Sequence, residues 1–175
     1  MITETAGLKH YTVGVLVSNE PGVLSRVSGL FFRRGFNIDS LAVGPTQDET
    51  VSRITVVVCG NEQTIEQLVQ QLYKLICVQK VQVFRSGESV ARQLVMVKVA
   101  AAAEQREGVM RLAEIFRAKI MDVSRNAVIL QITGEDEKVH ALLDLLSDYG
   151  ILEMVQTGAV ALERGEGCMS SYLFE

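Results

Sequence analysis

The feature that most narrows the possible folds is a pattern of hydrophobic spacing that runs through the chain twice. In the first half, Tyr11, Val13, Val15 and Val17 alternate with Thr12, Gly14 and Leu16, the period of a strand. After a turn at residues 19–22, Val23, Leu24, Val27, Leu30 and Phe31 fall at helical intervals, with Arg26, Arg33 and Arg34 on the other face. Gly35 predicts a left-handed helix end. Residues 36–43 and 51–59 read as strands around a loop rich in Gly, Pro, Thr and Asp. Residues 64–75 read as a helix through Ile65, Leu68, Val69, Leu72 and Leu75, and 78–84 as a closing strand.

The second half repeats that order. Residues 94–99 are strand-like, and 107–118 are helical through Val109, Leu112, Ile115 and Phe116. Strands at 120–123 and 128–132 flank a Ser124-Arg125-Asn126 turn. A helix over 136–149 uses Val139, Leu142, Leu143 and Leu146 and is capped by Gly150, and 151–162 supplies a last strand. Strand-helix-strand-strand-helix-strand, twice, predicts an α+β fold of two tandem ferredoxin-like units, each a four-stranded antiparallel sheet with two helices on one face. The chain's 175 residues suit two such domains. The predicted boundaries are 9–85 and 93–164, joined by a linker at 86–92, with a mobile tail at 165–175 in which Tyr172-Leu173-Phe174 frays rather than docks. Both alternating sets are apolar in places, as at Val56, Val57 and Val58, so both sheet faces should be at least partly covered. Small units of this kind often find that cover in a second copy.

Composition removes several functions. The formal net charge is −4; residues 1–85 carry 8 Lys/Arg against 7 Asp/Glu and the remainder 9 against 14, so neither half has the basic balance of a nucleic-acid binder. An RNA-binding sheet of this architecture needs exposed stacking rings, whereas aromatics are 6% of residues and the strands are rich in Val and Ile. The three cysteines, Cys59, Cys77 and Cys168, are odd in number and far apart, which fits a reducing compartment rather than a disulfide framework. The N-terminal residues do not form a signal peptide and no apolar run is long enough to span a bilayer, so the expectation is a soluble, cytoplasmic protein.

Catalytic constellations are equally hard to find. Neither His10 nor His140 has a Cys or Asp placed beside it by the sequence pattern, which leaves a nucleophilic triad or a histidine zinc site unsupported. Glu135-Asp136-Glu137 resembles a carboxylate cluster but stands at a helix start, where negative charge suits the helix dipole. No GxxxxGKS or GxGxxG phosphate loop is present. What remains is Asn19-Glu20-Pro21-Gly22-Val23-Leu24. If the helix starts at Gly22, the N–H groups of Gly22, Val23 and Leu24 lack intrahelical acceptors and can receive a carboxylate, favoured by the positive end of the helix dipole. Gly22 permits close approach, and the Asn19 amide offers a donor and an acceptor to a zwitterion. A turn and helix entry without any ligand accounts for the same residues, and Asn37 beside Ile38 is likewise an ordinary turn residue.

The run Val-Ser-Asn-Glu-Pro-Gly-Val-Leu-Ser-Arg-Val-Ser-Gly-Leu-Phe-Phe-Arg-Arg-Gly-Phe-Asn-Ile-Asp-Ser-Leu-Ala-Val-Gly-Pro-Thr at 17–46 closely resembles the regulatory, or small, subunit of acetolactate synthase (acetohydroxyacid synthase). Further matches follow in order: Ser52-Arg53-Ile54-Thr55, Glu66-Gln67-Leu68, Gln71-Leu72-Tyr73-Lys74-Leu75, Val95-Met96-Val97-Lys98-Val99, Ile115-Phe116-Arg117-Ala118, Asp122-Val123 and Thr157-Gly158-Ala159-Val160-Ala161-Leu162. The resemblance implies an N-terminal ACT domain and a homodimer with the feedback inhibitor valine at its interface. Asn19 and the backbone of Gly22, Val23 and Leu24 would hold the amino-acid head group, and Asn37 and Ile38 would reach it from the neighbouring chain. It also implies a catalytic large-subunit partner that carries thiamine diphosphate, Mg²⁺ and FAD, with no cofactor on this chain. One departure is Val90-Ala91-Arg92-Gln93-Leu94, where many relatives have Val-Glu-Arg-Glu-Leu, so contacts made by those two acidic residues are in doubt here.

Overall fold

The computed structural model describes residues 9–85 and 87–169. The described residues divide into two compact units, one of residues up to 90 together with those from 159 onward and the other of 91–158. In the first, β1 (Lys9–Ser18), α1 (Val23–Arg33), β2 (Ile38–Pro45), β3 (Val51–Gly60), α2 (Glu62–Leu72) and β4 (Val78–Phe84) form an antiparallel sheet of order β2-β3-β1-β4 with two helices. Val13, Val15 and Val17 of β1 and Ile54, Val56 and Val58 of β3 point to one face. They meet Val23, Val27, Leu30 and Phe31 of α1 and Ile65, Leu68 and Leu72 of α2 in a single core. Helix α2 begins two residues before its predicted start, because Asn61 Oδ1 accepts the Thr64 N–H at 2.8 Å and caps it.

The second unit contains most of β5 (Ser89–Ala100), then α3 (Ala103–Phe116), β6 (Lys119–Val123), β7 (Ala127–Gly134), α4 (Asp136–Ser147) and β8 (Ile151–Gln156), in the sheet order β6-β7-β5-β8. Helix α3 stops before its predicted end because Arg117 adopts a left-handed φ of 53° and the Ala118 N–H returns to the Ala113 carbonyl at 2.8 Å. The predicted repeat of two βαββαβ units is therefore present. Among the described residues no helix is long and apolar enough to cross a membrane.

Around the predicted linker and tail, three further boundaries differ from expectation. Strand β5 starts at Ser89, inside the predicted linker. The predicted last strand breaks at 157–159 into β8 and a short β9 (Val160–Glu163). From Ala159 onward the chain belongs to the first unit, so the predicted second domain is shorter at its end.

The cause lies on the sheet face opposite α1 and α2. The Ala159 N–H donates to Ser40 Oγ at 2.8 Å, the Arg53 guanidinium donates to the Ala161 carbonyl, and Gln82 Nε2 donates to Glu163 Oε2 at 2.7 Å. Lys80 Nζ then reaches the Cys168 carbonyl at 3.3 Å. Ala161 and Met169 are buried there with Leu16, Thr55 and Phe84. The guanidinium carbon of Arg53 lies 5.4 Å from the centre of the Phe84 ring. Burial lowers the Arg53 pKa, an effect opposed by the Cys168 thiol group. Of the tail at 165–175, residues 165–169 are described, with Met169 buried; residues 170–175, with Tyr172, Leu173 and Phe174, lie outside the described residues.

Gly14 makes this cover possible. A Cβ there would lie 2.8 Å from Phe84 Cε2 and 2.9 Å from Met169 Sδ. Gly14→Val should therefore lower stability by about 1–3 kcal/mol in urea unfolding, the usual cost of overpacking. An unchanged midpoint would show that the cover yields freely.

Candidate functional site

Strand β1 ends in a turn tied to two neighbouring loops. The Ser18 N–H donates to the Cys77 carbonyl at 2.9 Å, the Asn19 N–H to the Thr50 carbonyl at 2.7 Å, and the Glu20 N–H to Ser18 at 3.0 Å. Gly22 then takes φ 82° and ψ −3°, a left-handed conformation that favours glycine, and occupies the N-cap of α1. It is not the first helical residue, as the sequence pattern suggests, and this changes which N–H groups are spare. The Val23 N–H turns back toward the Glu20 carbonyl at 3.4 Å, and the Arg26 N–H closes the first helical turn on Gly22 at 3.1 Å. Among the described residues, no acceptor meets the N–H groups of Gly22, Leu24 and Ser25. A Cβ on Gly22 would have nothing within 4 Å, so this helix start is open. The Val23 side chain is in the core, whereas Leu24 is exposed.

The Asn19 amide is held on both sides, which the sequence pattern does not reveal. Its Nδ2 donates to the Glu49 carbonyl at 2.8 Å, and its Oδ1 accepts from Ser52 Oγ at 3.0 Å. One N–H and one lone pair remain for another partner. The loop that anchors it is braced by Asp48, whose Oδ1 accepts the Thr50 hydroxyl at 2.7 Å and the Thr50 N–H at 2.8 Å. Those two bonds, the hydroxyl first, hold the Asp48 carboxyl below its ordinary 3.8. A lowered carboxyl pKa supports the folded turn at neutral pH, and that support fades as acid protonates the group.

Asn37 is placed by the other end of α1. The Gly35 N–H donates to Phe32 and the Phe36 N–H to Phe31, at 3.1 and 3.0 Å, a Schellman closure with Gly35 at φ 72°. Phe31 and Phe36 pack edge to face, 6.1 Å between centres. Asn37 Nδ2 then donates to Asp39 Oδ1 at 2.9 Å, and Ile38 packs against the core.

Sheet register separates the two asparagine segments. Ile38 lies opposite Val58, which lies opposite Tyr11, while Ser18 lies opposite Val51. Asn37-Ile38 therefore stands near the start of β1 and Asn19–Gly22 beyond its end. At about 3.3 Å per residue along a strand, the gap is roughly 23 Å. One chain does not bring these predicted site residues together.

The histidines do have carboxylate neighbours, contrary to the sequence reading. His10 Nδ1 lies 3.1 Å from Asp39 Oδ2, and His140 Nδ1 lies 3.2 Å from Asp136 Oδ2 one helical turn away. The second pair was legible as an i,i+4 spacing; the first needed the sheet. No Ser or Thr hydroxyl is hydrogen-bonded to either imidazole among the described residues, nor is any group of three or more His, Cys, Asp or Glu placed to hold a metal ion. The carboxylates starting α4 also have partners: Arg92 Nη1 donates to Glu135 at 2.7 Å and Gln93 Nε2 to Asp136 at 2.9 Å. Gln93 thus meets the Asp136 carboxylate with a donor.

Asn19→Ala should cost about 1 kcal/mol and speed amide hydrogen exchange in the loop at 46–50, leaving residues 36–39 unchanged. Equal acceleration in both segments would contradict the separation.

Two family models match the chain: an AHAS small subunit-like ACT domain over residues 13–80 and the small subunit of acetolactate synthase over residues 92–165. A probable acetolactate synthase small subunit from Archaeoglobus fulgidus is 49% identical over 158 residues, 90% of this chain and 98% of that protein. The acetolactate synthase small subunit of Mycobacterium leprae is 46% identical over 159 residues, 91% of this chain and 94% of that one. The crystal structure of the acetolactate synthase small subunit from Thermotoga maritima superposes with a TM-score of 0.84 at 40% identity, covering 91% of this chain and 99% of that chain. Its two domains, their order and nearly its whole length place this chain in the acetolactate synthase small-subunit family.

Proposed function

We propose that this protein is the regulatory subunit of acetolactate synthase, non-catalytic on its own, and that it senses valine. In this reading it raises the activity of the catalytic large subunit, which condenses two pyruvates to 2-acetolactate and CO₂, or pyruvate with 2-oxobutyrate to 2-aceto-2-hydroxybutyrate. Valine binding then imposes feedback inhibition on branched-chain amino acid biosynthesis in the cytoplasm. Thiamine diphosphate, Mg²⁺ and FAD belong to the large subunit.

The observation that carries the reading is the open start of α1. Among the described residues the N–H groups of Gly22, Leu24 and Ser25 are spare, and the positive end of the helix dipole favours a carboxylate there. The Asn19 amide, braced by Glu49 and Ser52, keeps one donor and one acceptor for the head group. Leu24 and Ile38 offer apolar contact to a branched side chain. In this reading Asn37 and Ile38, which register holds far from Asn19 in one chain, join the seat from a second protomer. Strand β2, an edge of its sheet, carries Ile38 to where a second copy can pair. Valine regulates only if it binds the inhibitory arrangement more tightly than the activating one.

Calorimetry of the purified protein with valine, alongside activation of the large subunit, tests this directly. Saturable binding is expected; no binding by a protein that still activates would refute the sensor. Gly22→Asp places a carboxylate where the ligand's belongs and should abolish valine inhibition while leaving activation intact. Full inhibition in that variant would move the seat elsewhere.

A further inference from the structure

We propose that His10 and Asp39 are positioning residues that aim Asn37, so that valine affinity rises as the pH falls through the range in which imidazole gains its proton. This rests on the valine reading above, in which Asn37 faces the ligand. The register of β2 against β3 slips between Ile38 and Ser40, leaving Asp39 as the extra residue of a bulge. Bulges re-aim side chains, and here the two carboxylate oxygens take different partners. Oδ1 accepts the Asn37 amide at 2.9 Å, and Oδ2 lies 3.1 Å from His10 Nδ1. Both contacts are made at once, so a carboxylate held through Oδ2 keeps Oδ1 turned to the Asn37 amide. That single contact sets the orientation of the Asn37 side chain among the described residues, so whatever steadies Asp39 steadies Asn37.

Imidazolium always presents an N–H at Nδ1, whereas neutral imidazole does so in only one tautomer. Protonation therefore tightens the pair and holds the Asn37 amide in one direction. The His10 side chain is 70% exposed and that of Asp39 27%, so solvent reaches the imidazole and screens the attraction. Other titratable or charged groups at this end include Lys9 beside His10, Cys59 opposite it on β3, Glu62 two residues after Gly60, which lies opposite Lys9, Arg34 three residues before Asn37, and Arg85 after the β4 residue opposite Thr12. Ammonium, thiol and guanidinium groups ordinarily change charge above the imidazole range, and carboxylates below it. Valine keeps both its charges across it.

The test pairs two readouts on the full chain. Calorimetry at about pH 6 and about pH 8 should give about two- to five-fold tighter valine binding at the lower pH, as expected for an exposed ion pair. His10→Gln should remove that difference, which also separates His10 from His140. Without ligand, the Asn37 side-chain amide resonance should follow His10 titration in the wild type and lose that dependence in Asp39→Asn. Equal pH dependence in wild type and His10→Gln, or an Asn37 resonance indifferent to His10, would overturn the positioning role and leave the valine seat standing. A wild type that binds no valine would instead remove the seat, and the ligand-free titration would still decide whether His10 steers Asn37.

Discussion

The pairing of β1 between β3 and β4 is the constraint on which the rest of the first unit depends. Its alternation sends Val13, Val15 and Val17 into the core and Thr12, Gly14 and Leu16 to the other face. A slip of one residue would exchange those sets, so the register is strongly specified. The same register delivers Asn19 to one end of the sheet and, through β3 and β2, Ile38 to the other. The separation of the two candidate segments is thus a consequence of core packing, not a local accident.

That register also governs the opposite face. Gly14 leaves space that the Phe84 ring and the Met169 sulfur fill, while Arg53 and Gln82 grip the backbone of Ala161 and the carboxylate of Glu163. Residues 159–169 consequently complete the unit that carries the candidate site, although they follow the second unit in sequence. This face is covered by the chain's own segment, whereas β2 stands at an edge of the sheet.

Much of this was legible from local patterns. The alternating valines of β1, the helical spacing from Val23 to Phe31 and the Gly35 stop each express a short-range rule that the fold obeys. Interactions between residues distant in sequence were not legible. Nothing around Asn19 announces Glu49 and Ser52 as its partners, and nothing around His10 announces Asp39. Residues 151–162 read as one strand because apolar residues continue through Val160, but the chain turns away at 157–159 to cover another sheet. At the candidate site, the residue types were visible, whereas the left-handed N-cap at Gly22, which exchanges the Val23 N–H for that of Ser25, required the backbone.

The central claim is that one seat is built from two protomers, Asn19 and Gly22 from one and Asn37 and Ile38 from the other. Mixing protomers tests it most directly. Asn19→Ala and Asn37→Ala homodimers should each bind valine poorly, whereas a heterodimer re-formed from the two carries one intact seat and one doubly damaged seat. Calorimetry should then recover wild-type affinity at about half the sites of each heterodimer. Failure of the mixture to regain any binding, with subunit exchange verified, would contradict a seat shared between chains.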